Sequence, residues 1–391
     1  MTLHFLAKSV THQRETGGHM RIVLNAGSIG NTGMSGIGHY TAALTRGLSR
    51  CRTTESFTLV GDPEALRPLM SLSNYDRAFL PIPGADLWEQ LELPELLLAE
   101  GADVYHSPAF GLPLIKSCRY VATVHDCIPR LFPELASPWL CRFFQQWAPL
   151  WLERADHVIC DSQHTCRDLT HFYGLPPEKM TVVYQAVNEV FQPAAPEAII
   201  AVRKRYGLDR PYVLVVGRVE LRKNVAGMLR AFQLLRETDI DRPLLVLAGP
   251  RDADVHDPEG ILPPDGRHGE IVVTGYVPDA ELAALYSGAS AFCFPSFYEG
   301  FGRPVLEAMS CGVPVVASRT SSVPEVGGDA CLYVNPYDAE DIAQALYRVL
   351  TQDDLRRALV TAGLARAADF TLERMGRDTM AVYHQVMRAE A

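Results

Sequence analysis

Two glutamates, Glu299 and Glu307, stand eight positions apart across the Gly-rich run EGFGRPVLE. Carboxylates so paired serve either as acid and base or as acceptors for hydroxyl groups. Between them, Gly300 and Gly302 let the backbone approach a ligand closely. Pro304 fits the first position of a helix, where its fixed φ is pre-organised and its missing N–H would have had no intrahelical partner. The free N–H groups of that helix start, with the positive end of its dipole, suit an anion such as phosphate. Two carboxylates beside an anion site repel phosphate unless each accepts from hydroxyl donors. A sugar nucleotide supplies both sets, on its sugar and on its ribose.

The elements that must position these groups follow from the alternation of short β-rich runs with amphipathic helical stretches, which predicts α/β folding with parallel sheets. The runs RIVLNAG, SFTLVG, DVYHSP, YVATVHD, HVICDS and TVVYQA predict strands of a first domain over residues 20–187. Its first helix shows Ile37, Tyr40, Leu44 and Leu48 at helical spacing, one buried face. A Pro-rich stretch from Asn188 to Ala198 reads as a linker. A second domain over 199–370 then carries YVLVVG, LLVLAG, IVVTGY, AFCFPS, VPVVAS and CLYVNP as strands, with helices such as Asn224 to Glu237 and Asp338 to Thr351. The last segment, 371–391, reads as a helix that either completes the second domain or crosses back to pack on the first. Two Rossmann-like domains facing one another place a deep cleft at the carboxyl ends of both sheets.

Composition limits the function classes. The chain has 391 residues, long for one core and comfortable for two domains, and its net charge of −10 argues against non-specific nucleic-acid binding. Nine cysteines without a CxxC pair form no disulfide framework and point to a reducing compartment. No run approaches the roughly 18 apolar residues of a membrane span. Residues 1–19 lack a proper apolar region and cleavage site and read as a disordered extension, not a signal peptide.

Other constellations bear on the same cleft. GRVELRKN places Arg218 and Lys223 just past a strand's carboxyl end, where two fixed cations would neutralise a diphosphate and hold it more tightly as it departs. GSIGNTGMSGIGHY, with Gly36 and Gly38, matches neither GxGxxG nor a phosphate loop, and leaves a flexible backbone able to approach a ligand. ATVHDCIP sets His125 at a strand's carboxyl end with Asp126 beside it. Against a metal, the His157, Cys160, His164 and Cys166 group falls partly in a buried strand. The DxD triplets Asp239/Asp241 and Asp252/Asp254 lie away from the Gly-rich elements, so no metal is expected. The aromatic stretch PWLCRFFQQWAPLWL reads as core packing, with a surface for a lipid-linked acceptor as the rival.

At these motifs the chain resembles the retaining glycosyltransferases of family four, of GT-B architecture. The family's two glutamates with seven residues between match Glu299 and Glu307, its diphosphate cations Arg218 and Lys223, its N-terminal glycines Gly36 and Gly38, and its active-site histidine His125. The resemblance implies that Glu299 contacts the donor sugar and Glu307 the ribose. It also implies that Gly300 borders the donor, that backbone from Phe301 through Gly302, Arg303 and Pro304 to Val305 holds the diphosphate, that Tyr276 and Val277 border the base, and that His125 lies near the transferred sugar. It further implies a nucleotide-diphosphate sugar donor, a glycan or lipid-linked acceptor, no cofactor or metal, and a cytoplasmic protein, either free or peripheral at the inner face of the cell membrane. HDCIPRLFPE and RKN are similar to bacterial mannosyltransferases that build O-antigen and exopolysaccharide from GDP-mannose, although those relatives often have Pro where this chain has Leu221. The alternatives are a UDP-sugar-dependent glucosyl- or galactosyltransferase of the same family, a glycosidase using the paired glutamates, and a non-catalytic nucleotide-sugar-binding protein.

Overall fold

The computed structural model describes residues 19–30, 35–70, 72, 75–79, 85–240, 242–250 and 266–388. The expected extension, apart from His19, lies outside the described residues, as do Asp241, Asp252 and Asp254 of the acidic triplets.

The first sheet is built from β1 (Arg21–Asn25), β2 (Ser56–Val60), β3 (Tyr75–Phe79), β4 (Val104–Ser107), β5 (Arg119–Val124), β6 (His157–Cys160) and β7 (Met180–Val182), in the order β3-β2-β1-β4-β5-β6-β7. Every pair in it is parallel, with Ile22 opposite Phe57 and Val104, and Val121 opposite His157. The second is built from β8 (Tyr212–Val216), β9 (Leu244–Ala248), β10 (Gly266–His268), β11 (Ile271–Gly275), β12 (Ala291–Phe294), β13 (Val315–Ser318) and β14 (Cys331–Val334), in the order β10-β11-β9-β8-β12-β13-β14. Only β10 runs antiparallel there. The continuous apolar runs of β8 and β9 are buried along their whole length, as strands covered by helices on both faces must be. The sequence reading missed β3 and β10. Their residues, YDRAF and GRH, offer no apolar run, and both strands lie at sheet edges.

The helices that matter for the cleft are α1 (Gly36–Arg50), α2 (Gln163–Tyr173), α3 (Val225–Arg236), α4 (Asp279–Ser287), α5 (Arg303–Ser310) and α6 (Leu372–Arg388). Ser35 caps α1 by accepting from the Gly38 N–H, and Tyr40, Leu44 and Leu48 are buried as expected. Asn224 caps α3 from a left-handed conformation (φ 54°), accepting from the Gly227 N–H. Its amide donates to the carbonyls of Pro295 (3.2 Å) and Pro336 (2.6 Å), so one side chain ties the loop after β8 to those after β12 and β14. Two boundaries move from their expected places. The supposed linker ends early, because a helix begins at Pro196, and α5 starts at Arg303, with Gly302 at φ 98° as its cap and Pro304 second.

The aromatic stretch divides between two environments. It runs through short helices, Pro138–Arg142 and Ala148–Arg154, on either side of a wider π turn, Phe143–Trp147. Phe144 and Trp151 are buried, whereas Trp139 (52% exposed) and Trp147 (49%) face outward. Core packing therefore accounts for half of it.

The final helix crosses back. Leu372, Met375, Met380, Val382, Tyr383 and Val386 of α6 are buried in one cluster with Ile22, Leu24, Leu44 and Leu48 of the first half. Backbones touch where α6 passes α1: a Cβ built on Gly376 would lie 2.2 Å from the Gly47 carbonyl oxygen. The Tyr383 hydroxyl hydrogen-bonds His106 Nδ1 (2.7 Å), whose Nε2 bonds Thr123 (2.8 Å); Thr123 in turn bonds Tyr40 (3.1 Å). Burial lowers His106 to a pKa of about 3, so this chain of groups is neutral. Gly376→Ala should lose about 1–3 kcal/mol of stability by overpacking this crossing, read as a lower denaturation midpoint. An unchanged midpoint would contradict the close crossing.

Candidate active site

Both sheets turn their carboxyl ends toward one cleft. From the first come His125 after β5 and Asp161 after β6. From the second come Arg218 after β8, Tyr276 after β11 and Glu299 after β12. These residues line a cavity of about 460 Å³, together with Gly36, Lys223, Val277 and the backbone from Gly300 to Pro304.

Glu299 is the charged centre of the site. Its Oε1 accepts from Lys223 Nζ (2.7 Å) and its Oε2 pairs with Arg222 Nη1 (2.8 Å), while Arg222 also contacts Glu220 and the Tyr298 carbonyl. Burial alone would raise this carboxyl, but the charges of Arg222 and then Lys223 lower it to about 2. Glu299 is therefore ionised at every working pH and cannot serve as a glycosidase's acid. Glu307, one turn into α5, is gripped by Arg303 (Nε and Nη2, both 2.9 Å to Oε1) and accepts from the Tyr286 hydroxyl (3.1 Å). Each glutamate is thus fixed by its own cation before any ligand arrives.

His125 is locked on both sides. Nδ1 lies 2.6 Å from Asp161 Oδ2, and Nε2 lies 2.8 Å from the Pro108 carbonyl oxygen. A carbonyl oxygen only accepts, so Nε2 carries hydrogen toward Pro108, while Nδ1 faces the Asp161 carboxyl. Burial opposes a charge on the ring, yet the Asp161 charge and hydrogen bond and the Pro108 carbonyl outweigh it and raise the pKa above the ordinary imidazole value. Gln185 steadies Asp161 by donating to the same oxygen (2.6 Å). Both ring nitrogens of His125 are therefore engaged by protein groups at the cavity wall.

The two halves touch beside Glu299. The Gly300 carbonyl accepts from Ser162 Oγ (2.7 Å) and Thr165 Oγ1 (3.3 Å) of the first half, and Thr165 also donates to the His125 carbonyl (3.1 Å). A Cβ on Gly300 would lie 2.0 Å from that His125 oxygen, so only glycine permits this approach. Farther along the seam, Glu325 accepts from the Gln163 N–H (2.7 Å) and the Tyr184 hydroxyl (2.8 Å). His39 of α1 faces Asp279 of α4 across 3.8 Å.

Against this geometry stand the similarities to known proteins. Residues 34–191 match Glycosyltransferase Family 4 and residues 199–366 match Glycosyl transferases group 1. The O-antigen chain mannosyltransferase B of Escherichia coli is 36% identical over 282 residues, 72% of this chain and 74% of that protein. The chain belongs to the family 4 glycosyltransferases. The serotype-specific mannosyltransferase WbdA of Escherichia coli is 32% identical over 262 residues, 64% of this chain but only 31% of WbdA. Among solved structures, a sucrose-phosphate synthase from Thermosynechococcus elongatus superimposes with a TM-score of 0.70 at 21% identity, over 95% of this chain and all of that one, which establishes the GT-B fold.

In this glycosyltransferase most of the residues singled out from sequence converge on the cavity, but two do not. Gly38 is buried inside α1, and the Val305 side chain sits in the core, because α5 turns its second residue's successor inward. Lys223 is Glu299's partner before it is anyone else's. Arg222 stands in the quoted RKN but was not singled out as a site residue, Asp126 was noted beside His125 without a role, and His39, Asp161, Gln185 and Asp279 were not assigned to the cleft. Their signal is mainly spatial: Asp161 meets His125 from 36 positions away, Gln185 meets Asp161 from 24, and His39 faces Asp279 of the other half.

The site yields two predictions. A histidine whose folded pKa is raised gives its full stabilisation below about pH 6.5 and loses it as pH rises through the folded value. Wild type should therefore lose stability above about pH 6.5 by this contribution, and Asp161→Asn should lose less; identical pH profiles in chemical denaturation would discount the ion pair. Gly300→Ala should force the seam apart and lower kcat/KM about 10²-fold by misplacing Glu299 against the first half. Near-wild-type transfer by that variant would show the seam to be dispensable.

Proposed function

We propose that the protein is a retaining hexosyltransferase that moves mannose from GDP-mannose to a glycan in O-antigen or related polysaccharide synthesis. The observation that carries this reading is Glu299, held between Arg222 and Lys223 just before α5, on the same cavity as Glu307. A carboxylate so held accepts from sugar hydroxyls, while the helix start and Arg218 take the diphosphate. Glu307, stiffened by Arg303 and Tyr286, takes the ribose, and Tyr276 and Val277 border the base.

In this reading the bond from the sugar's C1 to the β-phosphate oxygen breaks, with its electron pair passing to the diphosphate. The acceptor oxygen bonds C1 on the same face, and its proton passes to the departing phosphate. No metal or cofactor enters this reading, in which Arg218 and the N–H groups at the start of α5 oppose the diphosphate's charge. The choice of mannose rests on the name of the relative that is 36% identical. A lipid-linked acceptor, met by a cytoplasmic protein peripheral to the membrane, is supported by the exposed Trp139, Trp147 and Leu150 of the first half. No helix among the described residues is long and apolar enough to cross a membrane.

A thermal-shift panel of GDP-, UDP- and ADP-sugars tests the donor, since a ligand that binds only the folded protein raises its transition with occupancy. GDP-mannose should give the largest shift. A shift with UDP-sugars alone would remove the mannose assignment, and release of free sugar with water as the only product would favour hydrolysis over transfer.

A further inference from the structure

One charged group on the cavity wall has no task in this reading. Asp126 follows His125 and is part-buried against the seam, and a Cβ on Gly300 would come within 2.8 Å of its own Cβ. Its Oδ1 accepts from the Ile128 N–H (2.9 Å), closing the turn after β5. Its Oδ2 accepts no hydrogen bond from any described residue. Arg222 faces it but forms no ion pair with it, being committed to Glu299, Glu220 and the Tyr298 carbonyl. The other charges around Asp126 are His125, which is bound to Asp161, and Glu299, which repels it. Burial pushes the Asp126 carboxyl above its usual value, against the Ile128 N–H, Arg222 and His125.

Asp126 lines the cavity, so a ligand group that donates can reach its second carboxylate oxygen there. The diphosphate cannot be that group, because it offers only negative oxygens. The partner is a hydroxyl. Two substrates bring hydroxyls to the cleft, and their places differ. The donor's are served by Glu299 and Glu307, both from the second half. Asp126 comes from the first half and meets Glu299 at the seam, where the transferred sugar's reacting face must meet the acceptor. Resting on the proposed transfer reaction, we infer that Asp126 Oδ2 accepts a hydrogen bond from the acceptor's attacking hydroxyl and orients it toward C1. The proton still leaves with the phosphate, so Asp126 binds the nucleophile and is unchanged by the step.

Asp126→Asn isolates this role, because the new side chain's oxygen can still accept from the Ile128 N–H while the second oxygen becomes an N–H₂ donor. Full-length wild type and variant are compared with GDP-mannose as donor and octyl α-D-mannoside as acceptor. The expected result is a melting midpoint and a GDP-mannose affinity within about threefold of wild type, with kcat/KM for the acceptor lowered about 10- to 100-fold, the scale of one hydrogen bond to a charged group. Transfer at the wild-type rate would overturn the inference. So would a parallel loss of donor affinity, which would place Asp126 at the donor, or a fall in the midpoint that accounts for the lost activity. A wild type that neither binds GDP-mannose nor transfers from it would instead remove the reading on which the inference stands, and the inference with it.

Discussion

The cleft depends on a buried carboxylate that two cations keep ionised. Glu299 lies where the strand β12 ends and α5 has yet to begin, a place with little water and no room for an unpaired charge. Arg222 and Lys223 solve that problem from the neighbouring loop, and Asn224, next in sequence, pins the same loop to the ends of β12 and β14. Charge compensation and backbone anchoring therefore come from three consecutive residues. Removing either cation leaves the other to hold a buried charge, and replacing Asn224 releases the loop that carries both.

The same economy governs the meeting of the two halves. Gly300 follows Glu299 directly, and its carbonyl is what the first half captures through Ser162 and Thr165. Glu299 is thus referenced to the first sheet through a single peptide unit. His125 lies on the other side of that contact with its ring held between Asp161 and Pro108, and Tyr40 abuts the ring edge-on at 4.6 Å. The polar geometry is settled by protein groups alone, which is the preorganisation that electrostatic catalysis requires.

Much of this was legible in the chain, for identifiable reasons. Parallel strands buried on both faces declare themselves as apolar runs, so YVLVVG or VPVVAS could be placed without help. Binding at strand carboxyl ends then pointed to His125 and Glu299. The edge strand YDRAF, with no continuous apolar run, gave no such signal. Arg222 and Lys223 look alike in sequence, and only the direction of the loop shows that both reach Glu299. Asp161 ends an ordinary strand and becomes significant through His125, 36 positions earlier. What sequence hides here is convergence between distant segments, whereas periodicity, caps and turns are local and can be read.

The return of α6 across the molecule sets the order in which the protein can be completed. Its apolar residues fill the core beneath β1 and α1, and Tyr383 satisfies His106 deep inside the first sheet. A chain emerging from the ribosome therefore makes its first domain long before it makes that domain's last wall. Through the synthesis of the second half, the first lacks the apolar cover that α6 supplies, and His106, bonded to Thr123, still lacks the Tyr383 hydroxyl.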